Sequence, residues 1–190
     1  MKLILMRHGK TEANEKRLYS GKTDISLSDK GKNELLQKKS EVQFPDISGM
    51  SVITSGMKRC EETLYVIYGI VPHSSDASFC EMDFGKFEMR SYDDMKNDPE
   101  YIAWISGDNE ANVAPGGESG NMMKKRVLEG FQRILSSQSD TFLVTHGGVI
   151  ADIMEFLFSS ENKNRYEWQP QAGGGYILDI TESGNSYKAF

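Results

Sequence analysis

Three groups of residues in this sequence place cationic or imidazole side chains directly after, or close behind, short apolar runs. They are Arg7-His8-Gly9, Arg59 and His146-Gly147-Gly148. A neutral imidazole can act as a nucleophile, a guanidinium offers forked N–H donors to phosphate oxygens, and glycine lets the backbone approach a ligand closely. These are the residue types that transfer of a phosphoryl group through a histidine requires.

The apolar runs that precede these groups are predicted strands, at Lys2–Met6, Ser51–Thr54 and Thr141–Thr145. If the three strands are parallel, their carboxyl ends meet at one edge of a sheet, where open α/β sheets bind ligands. The helix predicted from Val149 would point its positive end toward an anion at that edge. A lone histidine beside a strand is often a packed or surface residue, but two that converge with two arginines predict a site. The remaining histidine, His73, is predicted to be an ordinary loop residue.

The rest of the chain alternates short apolar runs with amphipathic segments, which is typical of an α/β fold. Ser28 is the predicted cap of a helix that runs to about Glu41, with Leu35 and Leu36 on its inner face. Further helices are predicted up to Gly69, from Asp98–Pro99, over about 118–136 with Met122 among its core residues, and over 149–158. Tyr176–Ile180 and Tyr187–Phe190 are the strands of a predicted closing hairpin.

The length of 190 residues predicts one compact domain. A net charge of −6 and a pI of about 5.2 argue against nucleic acid as the partner. The apolar runs are too short, or too interrupted by charge, to predict a secretory signal or a membrane span. Cys60 and Cys80 lie in no metal or redox spacing and are predicted to be reduced thiols of a cytoplasmic protein. The sequence leaves the oligomeric state open, a homodimer included.

The motifs resemble those of the histidine phosphatase superfamily, also called the phosphoglycerate mutase-like family. The matching segments occur in order along essentially the whole chain: RHGKTEANEKRLYSGKTDISLSDKG at 7–31, SGMKRCEET around Arg59, CEMDFGKFE around Glu81, PGGES at 115–119 and THGGVI around His146. The resemblance implies a single domain over residues 1–190 with a three-layer α/β/α fold. It further implies a mostly parallel sheet with helices on both faces and a small helical cap inserted at about residues 82–117, here named the cap segment.

The same resemblance implies how the site residues divide the work. His8 is the expected nucleophile, which forms a phosphohistidine that water later cleaves. Arg7 and Arg59 are expected to bind the phosphate oxygens, and His146 would add a third cationic donor if it is protonated. Glu81 matches the family's acid, which protonates the leaving oxygen and then activates the water.

Two other acids near Glu81, Asp83 and Glu88, are the alternatives for that role. The residues expected to line the phosphate pocket are Asn14, Ser20, Gly21 and Gly147, although the segment around 14–21 could instead be a solvated loop. No cofactor and no metal ion are expected, because the cationic side chains take the place of a metal.

Several short sequence segments favour one group within the family. LYSG at 18–21, EMDFGKFEMR at 81–90 and the Tyr-x-x-Trp at 101–104 resemble alpha-ribazole phosphatases of cobalamin synthesis. The cap segment has the basic residues Lys86, Arg90 and Lys96 against the acidic residues Asp83, Glu88, Asp93, Asp94, Asp98, Glu100, Asp108 and Glu110. Such a cap suits a second anionic group on the substrate poorly, and phosphoglycerates and sugar bisphosphates carry one. Its aromatic residues would enclose a neutral base, unless they form the cap's own core: Phe84, Phe87, Tyr92, Tyr101 and Trp104.

The alternatives share the site or keep only part of it. A broad-specificity phosphosugar or phosphomonoester phosphatase, or a phosphoglycerate mutase, would use the same residues on another substrate. A catalytically silent phosphate-binding module would bind phosphate analogues without turnover. A metal site built from His8, His146 and Glu81 is less favoured, because no local ligand spacing such as HExxH supports it.

Overall fold

The computed structural model describes residues 1–108 and 110–190, so Asn109 of the cap segment lies outside the described residues. The strands are β1 (Lys2–Arg7), β2 (Ser51–Thr54), β3 (Ser74–Ser75), β4 (Thr141–Thr145), β5 (Gly175–Thr181) and β6 (Gly184–Ala189). They form one six-stranded sheet in the order β3-β2-β4-β1-β5-β6. The first four strands in that order run parallel, and β5 and β6 add an antiparallel hairpin at one side. The predicted, mostly parallel sheet is confirmed.

The helices are α1 (Glu12–Glu15), α2 (Asp29–Glu41), α3 (Lys58–Tyr68), α4 (Tyr92–Met95), α5 (Pro99–Ile105), α6 (Gly120–Ser137) and α7 (Gly147–Leu157). Their ends follow local chemistry that the sequence displays. The Ser28 hydroxyl accepts a hydrogen bond from the Gly31 N–H at the start of α2, and Asp98 caps α5 with Pro99 as its first residue. Gly69 ends α3 at a φ of 76°, where a side chain would be strained.

Alternate side chains of β1 point to opposite faces of the sheet, as strand geometry requires. Leu3 and Leu5 belong to a core cluster with residues of α6 and α7, such as Phe131 and Ile153. Ile4 and Met6 belong to a second cluster with residues of α2 and α3, such as Leu35 and Leu64. The sheet is therefore covered by helices on both faces, and the predicted three layers are confirmed.

Two core predictions are wrong by one helical position. Leu35 is 2% exposed, but its neighbour Leu36 is 52% exposed and points away from the core. In α6, Met122 is 50% exposed and the adjacent Met123 takes the core position at 1%. Neighbouring residues of an α-helix are rotated by about 100°, so both members of such a pair cannot face one core.

The cap segment contains a 3₁₀ turn at Gly85–Phe87 and the short helices α4 and α5. In the sequence, the cap segment follows strand β3 and precedes the long helix α6. Within the described ranges 1–108 and 110–190, no helix is both long enough and apolar enough to cross a lipid bilayer.

Candidate active site

The register of the sheet brings the predicted site residues to one edge. Arg7, the last residue of β1, pairs with Thr145 of β4, and Thr54 of β2 pairs with Val144. The residues that follow these strand ends are therefore neighbours: the rings of His8 and His146 lie 5.1 Å apart between centroids. The parallel strands expected from the sequence create this convergence.

His8 is held in one tautomer by the backbone. Its ring Nδ1 lies 2.6 Å from the Gly9 carbonyl oxygen, which can only accept, so Nδ1 carries the proton and Nε2 has a free lone pair. Burial lowers the pKa of His8 well below 6.5, and the nearby guanidinium groups of Arg59 and Arg7 lower it further. The hydrogen bond to Gly9 acts in the opposite direction but does not outweigh them. His8 is therefore a neutral imidazole with its Nε2 available as a nucleophile.

His146 adopts the opposite tautomer. Arg59 Nε donates to His146 Nδ1 at 3.3 Å, and His146 Nε2 lies 2.9 Å from the Ser55 hydroxyl oxygen. Burial lowers the pKa of His146 well below 6.5, and the charge of Arg59 lowers it further. In this arrangement His146 accepts a hydrogen bond from Arg59 and orients it, and its role as a third cationic donor stays a prediction for the phosphate-bound site.

Within the described ranges, no carboxylate lies at ion-pair distance from the cations Arg59 and Arg7. Arg59 is 1% exposed, and its two Nη atoms donate to the backbone carbonyls of Gly21 and Thr23 at 2.7 and 3.0 Å. Arg7 Nη1 donates to the Pro170 carbonyl at 2.9 Å, and its buried Nε has no partner. Among the described residues, no ion pair includes either arginine. Buried charge is costly without a counter-charge, so this pair of guanidinium groups is suited to an anionic ligand.

Glu81 lies against the first turn of α7. Its Oε2 accepts a hydrogen bond from the Gly148 N–H at 3.1 Å, and its Oε1 accepts one from the Met82 N–H at the same distance. Arg126 holds the backbone of this segment by donating to the Glu81 carbonyl at 2.9 Å. The carboxylate is thereby fixed beside the same cavity that His8 lines.

The two alternative acids have other tasks. Glu88 accepts hydrogen bonds from the backbone N–H groups of Gly21, Lys22 and Thr23 and so clamps that loop. Asp83 pairs with Lys22 at 3.0 Å and accepts a hydrogen bond from the Gly85 N–H. Neither carboxylate lines the cavity, so the geometry favours Glu81 as the acid.

The cavity has a volume of about 290 Å³ and opens at the carboxyl edge of the sheet. Of the nine predicted site residues, those on its surface are Arg7, His8, Asn14, Ser20 and Glu81. The others do not line it: Arg59, His146, Gly21 and Gly147.

Gly21 and Gly147 instead allow close approach of other groups. A Cβ at Gly21 would lie 1.5 Å from the Met82 carbonyl oxygen. At Gly147 a Cβ would lie 3.2 Å from the Arg7 guanidinium carbon. Gly21 therefore requires glycine because backbone atoms approach it, whereas the atoms near Gly147 belong to side chains. The Gly21 carbonyl also accepts the hydrogen bond from Arg59.

The predicted aromatic residues of the cap segment separate into three kinds. Phe84 and Trp104 line the cavity, where Tyr19 and Tyr166 join them. Phe87 and Tyr101 are 0% and 1% exposed and form the core beneath this wall. The last one, Tyr92, is 57% exposed and faces solvent. The cavity thus has an aromatic wall in addition to the cationic side chain of Arg7.

Sequence reasoning missed several residues of the site. Ser55 directly follows β2, the same structural place as His8 and His146, and this position was a signal that could have revealed it. Glu110 and Arg165 line the cavity, but they are 55 residues apart and share no local motif. The two cysteines are free thiols, and burial raises the pKa of Cys60 to about 12, so this thiol stays protonated.

Comparison with known proteins places this geometry in context. A family model described as "Histidine phosphatase superfamily (branch 1)" matches residues 3–190. The chain is 27% identical over 188 residues to the adenosylcobalamin/alpha-ribazole phosphatase of Salmonella typhimurium, covering 96% of this chain and 92% of that protein. It is 26% identical over 224 residues to the 2,3-bisphosphoglycerate-dependent phosphoglycerate mutase of Buchnera aphidicola, covering 98% and 96%.

Among solved structures, the alpha-ribazole phosphatase from Shigella flexneri superimposes with a TM-score of 0.85 at 26% identity. The superposition covers 99% of this chain and 95% of that one. The fold expected from the motifs is therefore the fold of solved relatives, over nearly the full length of both chains.

Proposed function

The chain belongs to the histidine phosphatase superfamily and is a phosphatase; we propose that it hydrolyses alpha-ribazole 5′-phosphate through a phosphohistidine formed at His8. The observation that carries the chemistry is a pair of arginines, with no ion-paired carboxylate in the part of the chain that the structure describes, beside a neutral histidine whose Nε2 is free. The substrate assignment rests on the aromatic wall of the cavity and on the named activity of similar proteins.

In the first step, His8 Nε2 attacks the phosphorus in line with the ester oxygen. The P–N bond forms as the P–O bond to the leaving group breaks, and Glu81 donates its proton to the leaving oxygen. Arg7, which lines the cavity, binds the equatorial oxygens, and the positive charge of the buried Arg59 helps to stabilise them. The hydrogen bond from Nδ1 to the Gly9 carbonyl keeps the imidazole correctly oriented and stabilises the positive charge that develops on it.

In the second step, the Glu81 carboxylate accepts a proton from a water molecule that attacks the phosphohistidine. The P–N bond breaks, a P–O bond forms, and inorganic phosphate leaves with His8 neutral again. The position of Glu81 next to the Gly148 N–H keeps it at the same side of the cavity in both steps. No step requires a metal ion or a cofactor, so this proposal predicts activity in the presence of a chelator.

The rest of the substrate meets a surface suited to an uncharged aromatic group. Tyr19, Phe84 and Trp104 pack edge to face with one another, at 5.1 to 6.1 Å between ring centroids, and line the cavity. Offset and edge-to-face contacts with a benzimidazole base are favourable by about 1 kcal/mol each beyond area burial. This wall favours the ribazole ester over small phosphosugars, which present hydroxyl groups.

The remaining predictions complete this proposal. A small-molecule phosphate monoester is the partner, the cap segment is an insertion in one domain over residues 1–190, and the protein acts in the cytoplasm, where Cys60 and Cys80 stay reduced. A homodimer stays a prediction.

A phosphate-release panel with chelator present tests the proposal. It compares alpha-ribazole 5′-phosphate, 3-phosphoglycerate, fructose 2,6-bisphosphate and an aryl phosphate, with His8→Ala as the control. We expect kcat/KM for the ribazole ester to exceed the others by on the order of 10²-fold, and His8→Ala to lose more than about 10³-fold. Equal rates on all esters would indicate a broad-specificity phosphatase. Interconversion of phosphoglycerates would indicate a mutase, and absence of turnover a phosphate-binding module.

A further inference from the structure

Arg165 is a second cation of the cavity, separate from the phosphate-binding pair. Among the described residues that line the cavity, the guanidinium groups belong to Arg7 and Arg165. Arg165 Nη1 donates to both carboxylate oxygens of Glu110, at 2.6 and 2.8 Å, and its Nη2 lies 3.4 Å from Asp152 Oδ1. Asp152 is 1% exposed. The charge of Arg165 is therefore neutralised by Glu110, and Asp152 accepts a further hydrogen bond from it.

The position of Glu110 is built into the fold. Gly120 begins α6 against the Glu110 carboxylate, and a Cβ there would lie 2.1 Å from Glu110 Oε2. The Glu110 carbonyl also accepts a hydrogen bond from the Asn121 N–H at 2.9 Å. Only glycine at position 120 leaves room for this carboxylate beside Arg165. Glu110 is thus held in the cavity wall by backbone contacts as well as by its ion pair.

This arrangement has a consequence for substrates. A ligand with a carboxylate or second phosphate besides the reacting group is bound best where a second cation lines the cavity. Arg165 has the right charge and position on the cavity wall, but Glu110 already occupies its forked donors. Such a ligand must displace Glu110 or place its own charge beside it, and like charges at short distance repel.

We propose that Glu110 is a specificity-determining residue, which excludes substrates with a second anionic group by occupying Arg165. The inference deepens the proposed function, because it explains why an ester with an uncharged leaving group is preferred. It assigns Glu110 no part in phosphoryl transfer. It also makes Arg165 a latent anion site that one substitution exposes.

A matched pair of ligands isolates the effect of the second charge. 3-Phosphoglycerate and glycerol 3-phosphate have similar size, and only the first carries a carboxylate. We expect Glu110→Gln and Glu110→Ala to raise the ratio of kcat/KM for 3-phosphoglycerate over glycerol 3-phosphate by on the order of 10-fold. Calorimetry gives the dissociation constants of the same two ligands without turnover. The ratio of these constants therefore tests the inference even if the proposed reaction does not occur.

Two further variants complete the experiment. Glu100→Gln removes the same charge from the cap segment at an exposed pair with Lys86 and should leave the ratio unchanged. Adding Arg165→Met to Glu110→Gln should return the ratio to the wild-type value. An unchanged ratio in both folded Glu110 variants, judged by their thermal unfolding, would overturn the inference. If the wild-type protein shows no preference for the ribazole ester, only the proposed substrate is overturned.

Discussion

His8 and His146 face each other at 5.1 Å between ring centroids, tilted by 64°, in opposite tautomers. The Gly9 carbonyl requires the proton of His8 on Nδ1, whereas the Arg59 Nε–H requires the proton of His146 on Nε2. The two rings thus have different tasks although both follow a strand and precede glycine. One presents a lone pair to the cavity, and the other orients an arginine.

Nuclear magnetic resonance of the imidazole nitrogens tests these protonation states directly. At pH 6 we expect His8 and His146 to stay neutral, with Nδ1–H and Nε2–H tautomers respectively, because burial lowers both pKa values well below 6.5. His73 is the internal control, since its hydrogen bond to the Val71 carbonyl and its contact with Glu61 raise its pKa. A spectrum in which either site histidine is protonated at pH 6 would contradict this assignment.

Glu81→Gln should slow hydrolysis according to the leaving group. Glutamine keeps the size of the side chain but cannot donate a proton to the departing oxygen. We expect kcat to fall by on the order of 10²-fold or more for an alkyl ester and much less for an activated aryl phosphate. The measurement is a series of esters with leaving groups of graded pKa. Equal slowing across the series would assign the proton donor to another group.

Arg59→Lys should weaken phosphate binding although the charge is kept. The guanidinium group donates hydrogen bonds to His146 Nδ1 and to the Gly21 and Thr23 carbonyls. The single ammonium group of lysine cannot reproduce this planar set of donors. We expect kcat/KM to fall by about 10²-fold and orthovanadate, which mimics five-coordinate phosphorus, to inhibit less strongly. The matched control is Arg133→Lys, at an exposed arginine paired with Asp76. Full activity of Arg59→Lys would remove Arg59 from the phosphate site.

Asp152→Asn should change the pH dependence of stability. Burial raises the pKa of Asp152 to about 7, against the opposing charges of Arg165 and Lys124, whereas the unfolded chain has a value of about 3.9. Between these values the folded protein keeps a proton that the unfolded chain releases, so the contribution of Asp152 to the free energy of unfolding decreases as pH rises. Because asparagine does not titrate, the variant lacks this decrease in the free energy of unfolding.

The melting temperature of Asp152→Asn relative to the wild type should therefore be higher at pH 8 than at pH 5. Thermal unfolding at the two pH values measures this difference. Asp179→Asn, at an exposed position of β5, is the control and should show no such dependence. A difference for Asp152→Asn that is independent of pH would indicate that the carboxyl is already ionised at pH 5.

Much of the fold and the central site followed from local sequence signals. The strand before His8, the strand before His146 and the helix start at Ser28 are each encoded within a few residues. Such signals are readable because strand periodicity, capping hydroxyls and glycine act over one or two turns of chain. Parallel pairing of those strands then required the histidines to meet at one edge.

Other features depended on contacts between distant parts of the chain. Leu35 and Leu36 are both apolar, and only the packing of α2 on the sheet decides that Leu35 is buried. The protonation of His146 depends on Arg59, 87 residues away. Glu110, Asp152 and Arg165 meet beside the cavity without any shared motif. The sequence by itself determined the elements and the placement of the candidate site residues at the strand ends, because local chemistry specifies them. The tertiary structure decided protonation, charge neutralisation and cavity shape, because these depend on which distant groups come within hydrogen-bonding distance.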